Sequence, residues 1–377
     1  MNKRYEELDS LRGIAAMLVF IFHMLMILPN SWKEGLIWHL INLSPLHHLL
    51  IGDKRVIFFF ILSGFVLSLP FFRKKRLSYP SFIIRRIVRL YIPYAIAITF
   101  AILTSIYFSK GGNSELGGLF NALWMAPVDV ELIINHYLFI GNYNVYAYNI
   151  AIWSLIHELR IAFIFPLLMV MAIRFRWKIN LALGVGLAVI GAAIHLILQD
   201  PYQPIYKTLF YILMFIIGIL ISKYKSNLLE GYKSLNKGFK IGLFIIGYLI
   251  YNYSDFIGNP LLADWLTSIG VSILLVIVLG STLASKILLW RPLKYLGKIS
   301  YGVYLYHLPV LLTLLYVFYG KIPIIIIMGL AVIITLIISN LAWYFIEKPS
   351  IKLAKFLSDK FSYNIKEPVL VEEKRSS

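Results

Sequence analysis

The chain has 377 residues, of which 60% are hydrophobic and 15% are aromatic, and its formal net charge at pH 7 is +18. This composition is far more apolar than that of a soluble globular protein and indicates many membrane spans. The sequence contains no cysteine, which excludes disulfides, thiolate nucleophiles and thiolate metal ligands. The basic residues lie in short stretches between apolar segments, so the charge reports membrane topology and does not indicate nucleic-acid binding.

Taken in chain order, the apolar segments predict an all-α, polytopic membrane protein with about ten transmembrane helices. Each segment is long enough to cross ~30 Å of hydrocarbon. The seventh is short and runs into the polar sequence SDFIGNP, so a tilted or half re-entrant helix is an alternative there. The predicted helices cover residues 11–28, 56–72, 91–108, 150–173, 180–198, 206–222, 241–257, 265–284, 299–319 and 322–346.

The basic residues also predict the orientation of these helices. With the N-terminus in the cytoplasm, 29 of the 36 Lys and Arg residues fall on the cytoplasmic side, so both termini are expected there. Residues 1–352 form the predicted membrane domain, and residues 353–377 are expected to be a polar cytoplasmic tail without fixed structure. The longest external connection, 109–149, is long enough to form a lid or an acceptor platform.

Two ionisable residues, Arg12 and His23, lie in the first apolar segment, where charged groups are costly. Eleven positions separate them, which is close to three helical turns, so both side chains share one helix face. The imidazole is expected ~16 Å deeper along the axis than the guanidinium. The pair indicates a site inside the membrane. The alternatives are a structural histidine bonded to a neighbouring helix and an arginine that extends to lipid headgroups.

Six segments within residues 5–352 share an order and spacing with a known family. They are LDSLRGIAAMLVFIFH, FFFILSGFVLS, SFIIRRIVRLYIP, WSLIHELRIAFIFP, LGKISYGVYLYHLPV and WYFIEKPSI. Together they resemble the acyltransferase-three family of integral-membrane acyltransferases, which O-acylate cell-surface sugars in bacteria. The resemblance implies a ten-helix protein of the bacterial cytoplasmic membrane.

The same resemblance implies a donor, an acceptor and partners. The donor is cytoplasmic acyl-coenzyme A, most often acetyl-coenzyme A, and the acceptor is a hydroxyl of an extracytoplasmic or lipid-linked saccharide. Some relatives carry an extracytoplasmic hydrolase-like domain that completes the transfer. No such domain is predicted here, so the chain is expected to act alone or with a separate extracytoplasmic transferase. His39, His47 and His48 lack a carboxylate ligand pattern, and no metal site is predicted.

Two residues are assigned to catalysis. The family motif, an Arg or Lys followed by ten residues and a His, falls on Arg12 and His23. An imidazole can stay neutral when desolvated and can take a proton from an attacking hydroxyl, so His23 is the predicted general base. Glu158 matches the family's acidic position and is predicted to orient His23, as the acidic member of a catalytic triad does. The alternative for Glu158 is an ion pair with an arginine, either Arg12 or Arg160.

Four arginines are predicted to hold the phosphates of coenzyme A, because guanidinium groups match phosphate geometry. They are Arg12, Arg85, Arg86 and Arg89, and the last three resemble the arginine-rich motif of the family. Ile83 and Ile84 stand where the family often has an aromatic residue. The run RKKR at 73–76 is explained by membrane anchoring alone.

Several aromatic residues are assigned to the substrate or to packing. Substrate contacts are predicted for Trp153, Tyr301, Tyr304 and His307, with an interfacial tyrosine belt as the alternative for the tyrosines. For the segment Trp343–Pro349 a helix end with a membrane anchor is expected. Ser63 lacks the spacing of a nucleophile elbow.

The predicted reaction is attack of an acceptor hydroxyl on the thioester, either directly or through a covalent acyl intermediate. The rival from another class is a transporter or flippase for a lipid-linked saccharide, because intramembrane charges also mark translocation paths. Many secondary transporters show repeated halves with broken helices, and no such repeat is visible in this sequence.

Overall fold

The computed structural model describes residues 5–33, 35–44, 52–72, 78–200, 202 and 204–362. Within these ranges the chain is helical and no strand occurs. The long helices are α1 Glu6–Ile27, α2 Asp53–Phe72, α3 Tyr79–Phe108, α4 Trp153–Arg174, α5 Trp177–Leu198, α6 Ile205–Lys223, α7 Lys237–Tyr253, α8 Pro260–Gly280, α9 Arg291–Phe318 and α10 Ile324–Ala342, followed by a π-helical turn Trp343–Glu347 and by α11 Lys348–Ser362. Shorter helices cover Asn30–Lys33, Leu36–Leu43, Gly118–Ala122, Val130–Leu138, Val145–Ala147, Ile150–Ile152, Lys225–Ser234, Ser254–Ile257 and Thr282–Leu288.

Nine helices of the described part are long and apolar enough to cross a membrane, which confirms an all-α polytopic membrane protein. The predicted seventh helix, α7, has 17 residues and ends in the 3₁₀ turn Ser254–Ile257. It packs along α8. The sequence had already set this segment apart as short.

Two helices begin eight or more positions earlier than predicted and project beyond their apolar segments. Helix α3 begins at Tyr79, twelve positions before the predicted start, because Ser78 caps it and Pro80 lies in its first turn. Helix α9 begins at Arg291 instead of residue 299. The arginines of SFIIRRIVRLYIP therefore lie on the same rigid helix as the apolar segment that follows them.

Contacts between distant residues define one end of the helix bundle. Glu6 at the start of α1 pairs with Lys294 at the start of α9, with 2.6 Å between the charged atoms. Arg85 near the start of α3 pairs with Asp359 near the end of α11 at 2.9 Å. These four residues define the end that we call the basic end, and the opposite end is the far end. Both ends of the described chain thus lie at the basic end. Residues 353–362 of the predicted tail belong to α11, and the rest of the tail and the RKKR run lie outside the described residues.

Small residues bring two pairs of helices into backbone contact. A Cβ atom on Gly13 of α1 would lie 2.6 Å from the carbonyl carbon of Leu296 on α9. A Cβ atom on Gly218 of α6 would lie 2.7 Å from the backbone nitrogen of Phe65 on α2. Glycines at such positions permit close helix packing in membranes. The first contact sets the register in which α1 faces α9.

The external connection 109–149 is a packed cap and not a free lid. Leu123, Trp124 and Phe139 are fully buried in the apolar core that α1, α3, α9 and α10 share. The backbone N–H of Gly117 donates to the carbonyl oxygen of Ile27 at 3.0 Å, which ties this cap to the end of α1. A second core joins α2, α4, α6 and α8. The candidate site lies between the two cores.

Candidate functional site

A cavity of about 660 Å³ lies between α1, α2, α3, α4, α9 and the segment that joins α10 to α11. Tyr5 and Lys352 line it near the basic end, and Ser154 and Tyr304 line it deeper in the bundle. Lys352 is exposed, so the cavity reaches the protein surface at the basic end.

The charged residues of this cavity are mostly basic. Six basic side chains face three acidic ones in its lining. The excess of cations favours an anionic ligand. The basic residues are Arg12, Arg86, Arg89, Lys298, Lys348 and Lys352, and the acidic ones are Asp9, Glu158 and Glu347.

Glu158 lies in this lining and is held by two neighbours. Its carboxylate pairs with the guanidinium of Arg86 and accepts a hydrogen bond of 2.7 Å from the hydroxyl of Ser63. The pair with Arg86 is an ion pair of the kind given as the alternative, with a different arginine from the two considered there. Arg160 instead donates to the carbonyl oxygen of Ile140 at the far end.

The imidazole of His23 lies against a second imidazole, that of His307. Its Nδ1 atom is 2.8 Å from Nε2 of His307, and the two rings are nearly parallel. Both side chains are buried. The described contacts thus put His307 at the Nδ1 atom of His23, and the support of His23 by Glu158 stays a prediction.

The hydrogen bonds of His307 fix the tautomers of both rings. Its Nδ1 atom lies 2.9 Å from the carbonyl oxygen of Val303. A carbonyl oxygen only accepts hydrogen bonds, so Nδ1 of His307 carries the proton and Nε2 of a neutral His307 is an acceptor. The Nδ1 atom of His23 must then donate to His307. The proton-free nitrogen of a neutral His23 is consequently Nε2.

Tyr304 connects the deep end of the cavity to this histidine pair. Its hydroxyl lies 2.7 Å from that of Ser154, and its ring centroid is 6.2 Å from that of His307. Tyr301 also lines the cavity and donates to the carbonyl oxygen of Leu90 at 2.9 Å. Of the four predicted substrate residues, the two tyrosines line the cavity and His307 lies just behind it.

Two predicted site residues lie elsewhere. Arg85 donates to the hydroxyl of Ser358 at 2.6 Å and pairs with Asp359, so it attaches α3 to α11 outside the cavity lining. Trp153 packs on Phe60 and on Tyr211, next to the second core. The arginine-rich stretch thus divides into two residues that line the cavity and one that holds a neighbouring helix.

Sequence reasoning missed several residues of the site. Glu347 and Lys348, expected in a membrane anchor, line the cavity. Lys54 and Arg55, expected in an external loop, are 2% and 1% exposed at the start of α2. Lys54 pairs with Asp255 at 2.8 Å, and Arg55 is close enough to His23 to act on it electrostatically. The only signal in the sequence was that each of these charges directly adjoins an apolar run.

The sequence of this chain is similar to those of known proteins. A family model described as an acyltransferase domain matches residues 5–344. A candidate peptidoglycan O-acetyltransferase of Bacillus subtilis, YrhL, is 25% identical over 382 aligned positions, which cover 91% of this chain and 54% of that protein. The peptidoglycan O-acetyltransferase OatA of Listeria monocytogenes is 24% identical over 375 positions, which cover 92% of this chain and 56% of OatA.

The chain therefore spans little more than half the length of these two relatives. No solved structure gives a significant match. The family match confirms the resemblance that the six sequence segments indicated and the acyltransferase class that it implied.

Proposed function

Because the chain belongs to this acyltransferase family, whose model covers residues 5–344, we propose that it is a membrane-embedded O-acetyltransferase. In this proposal the donor is acetyl-coenzyme A, and the acceptor is a hydroxyl of a cell-wall glycan outside the bacterial cytoplasmic membrane. The names of the two relatives support both the acetyl group and the glycan. A separate extracytoplasmic transferase is a further partner that the proposal allows.

In our proposal the basic end faces the cytoplasm. Lys and Arg are enriched in cytoplasmic loops of membrane proteins. Arg85, Lys294 and Lys352 all lie at this end, where the cavity also opens. A soluble cytoplasmic donor would thus enter the cavity directly.

The cationic lining supports coenzyme A as the donor. Coenzyme A carries several phosphate charges at one end and a thiol on a narrow pantetheine arm at the other. Lys348 and Lys352 near the opening, with Arg12 and Arg89 further in, would bind the phosphates. The arm would then extend toward Tyr304 and carry the thioester to the deep end of the cavity.

The observation that carries the proposal is the hydrogen-bonded series from Val303 through His307 to His23. It leaves Nε2 of a neutral His23 as a proton acceptor, which a general base requires. His307 takes the place that an acidic residue has in a serine-protease triad, since it receives the Nδ1 proton of the base.

The proposed reaction transfers the acetyl group from the thioester to the acceptor hydroxyl. Nε2 of His23 takes the proton of the acceptor hydroxyl while the oxygen attacks the thioester carbonyl carbon. The tetrahedral intermediate collapses with cleavage of the carbon–sulfur bond. The coenzyme A thiolate leaves and receives the proton from the His23 imidazolium, which gives the O-acetyl glycan and free coenzyme A.

The test is transfer of labelled acetyl from acetyl-coenzyme A to glycan by the protein in membrane vesicles. His23→Ala is compared with His39→Ala, a matched variant at an exposed histidine outside the cavity. We expect label in the glycan for the His39 variant and loss of almost all label for the His23 variant at equal abundance.

Full transfer by His23→Ala would show that His23 is not the general base. No transfer by the wild type, with no binding of coenzyme A, would favour the transporter alternative. Label that stays on the protein after removal of donor would identify a covalent intermediate.

A further inference from the structure

One buried carboxylate in the cavity has an oxygen without a partner. Glu347 is 6% exposed and lies in the π-helical turn that joins α10 to α11. Its Oε1 atom is buried and makes no hydrogen bond within the described part of the chain. Burying such an acceptor without a partner costs free energy, and π-helical turns often occur at functional sites. The oxygen is therefore available to a ligand in the cavity.

The chemistry of this oxygen restricts the part of the ligand that it can contact. A carboxylate only accepts hydrogen bonds, so the ligand must present an N–H or O–H group there. A phosphate group would be repelled. Arg89 lines the same cavity. In a cavity whose other charges are mostly positive, Glu347 marks a position for an uncharged, hydrogen-bond-donating part of the ligand.

The depth of Glu347 indicates which part this is. Its carboxyl group lies beside the backbone of Gly302 on α9. His307 follows five positions later on that helix, ~7.5 Å further from the basic end. The pantetheine arm has two amide groups between its phosphates and its sulfur, separated by a β-alanine unit that is one methylene longer than the ~3.5 Å of a peptide unit. When the thioester reaches the histidine pair, these amides lie at the depth of Glu347, whereas the adenine lies beyond the phosphates near the opening.

We propose that Glu347 recognises the pantetheine arm, its Oε1 atom accepting a hydrogen bond from an amide N–H of the acyl donor. The contact would hold the arm extended and set how far the thioester reaches toward His23. This inference rests on the proposed function, because it requires a coenzyme A thioester in the cavity.

The test compares three acetyl donors on wild type and Glu347→Ala. Acetyl-coenzyme A has the arm and the phosphates, S-acetylpantetheine has the arm alone, and S-acetyl-2-mercaptoethanol has neither. We expect Glu347→Ala to raise KM for the first two donors by the same factor, about tenfold or more, as for a lost hydrogen bond to a charged group. The third donor should show no change. Lys352→Ala, at the opening, should raise KM for acetyl-coenzyme A only.

A donor analogue tests the inference on the wild-type protein. The result then does not depend on the stability of a variant. Acetyl-coenzyme A with both pantetheine amides N-methylated has no N–H to donate and should bind the wild type about tenfold more weakly. Glu347→Gln, whose side-chain carbonyl still accepts, should keep most of the affinity for unmodified donor.

An equal KM for methylated and unmodified donors, or an effect of Glu347→Ala on acetyl-coenzyme A alone, would overturn the inference. Binding of coenzyme A and pantetheine measured by calorimetry separates this outcome from failure of the proposed function. A wild type that binds pantetheine through Glu347 but transfers no acetyl group would contradict only the proposed reaction. A wild type that binds neither molecule would contradict both.

Discussion

The Nδ1 atom of His23 lies 2.8 Å from the Nε2 atom of His307, although 284 positions separate the two residues in the chain. The contact joins α1 and α9. It turns two buried histidines, each of which has a structural explanation when considered alone, into an ordered pair with one free acceptor nitrogen.

The first prediction concerns the role of His307. Replacing it with Ala removes the acceptor that holds the Nδ1 proton of His23, so either nitrogen of the base can then carry that proton. We expect kcat to fall on the order of 10²-fold while KM for acetyl-coenzyme A stays unchanged. His307→Gln should recover part of the loss, because its side-chain carbonyl can accept the same proton. Steady-state kinetics with both variants decide this, and a higher KM with unchanged kcat would indicate substrate binding instead.

The second prediction concerns the ion pair between Arg86 and Glu158, whose side chains are 11% and 16% exposed. Removing either partner alone leaves a charge buried, which costs roughly 3–5 kcal/mol. We expect Arg86→Met and Glu158→Leu each to lower the apparent melting temperature in detergent, and the double variant to recover much of the loss.

The exposed pair Arg85 and Asp359 is the control, with side chains 43% and 51% exposed. Exposed pairs contribute about 1 kcal/mol or less, so Asp359→Ala, which leaves the hydrogen bond from Arg85 to Ser358 in place, should change the melting temperature little. Additive losses in the Arg86 and Glu158 double variant would show that the two groups do not stabilise each other.

The third prediction concerns the pH dependence of the external cap, in which His136 is fully buried. Burial lowers the pKa of His136 to about 4, against the smaller raising effect of its hydrogen bond to the Leu132 carbonyl. The rings of Tyr143 and Tyr148 pack on both sides of it. The folded-state pKa lies below the unfolded value of ~6.5, so the unfolded chain binds a proton at a higher pH than the folded protein does. The contribution of the neutral imidazole to the free energy of unfolding is therefore complete above pH ~6.5 and is lost as the pH falls toward 4.

One pKa unit corresponds to ~1.4 kcal/mol, so this loss amounts to roughly 3 kcal/mol. Hydrogen exchange of the helix Val130–Leu138 at pH 7 and at pH 4.5 measures it. We expect these amides to be less protected at the lower pH in the wild type, when their rates are compared with the intrinsic exchange rates at the same pH, and we expect a smaller pH effect on protection in His136→Gln. An equal response of both proteins would assign the acid sensitivity to other groups.

The fourth prediction concerns the close approach of α1 and α9. A methyl group on Gly13 would overlap the backbone near Leu296, whereas one on Gly186 of α5 would meet no atom within 4 Å. Overpacking costs about 1–3 kcal/mol, while Gly→Ala within an open helix gains roughly 0.5–1 kcal/mol. Gly13→Ala should therefore lower both stability and transfer activity, since it moves His23 away from His307, and Gly186→Ala should lower neither. Equal melting temperatures for the two variants would contradict this packing.

The sequence by itself determined the class of the molecule and most of its helices. Hydropathy is a property of each segment alone, because a run of apolar residues favours a membrane span whatever surrounds it. The basic residues on one side and the ionisable residues within the spans could be identified for the same reason. His23 and Glu158 were recognised as unusual in this way before any contact was known.

Only the tertiary structure decided which of these groups meet. No local pattern states that Glu158 pairs with Arg86, that His307 supports His23, or that Arg85 turns away from the cavity toward Asp359. Such pairs depend on how the faces of distant helices come into register, and that register is set by backbone contacts such as the one at Gly13. His23 and Glu158 were visible in the sequence, whereas their partners follow from how the helices pack.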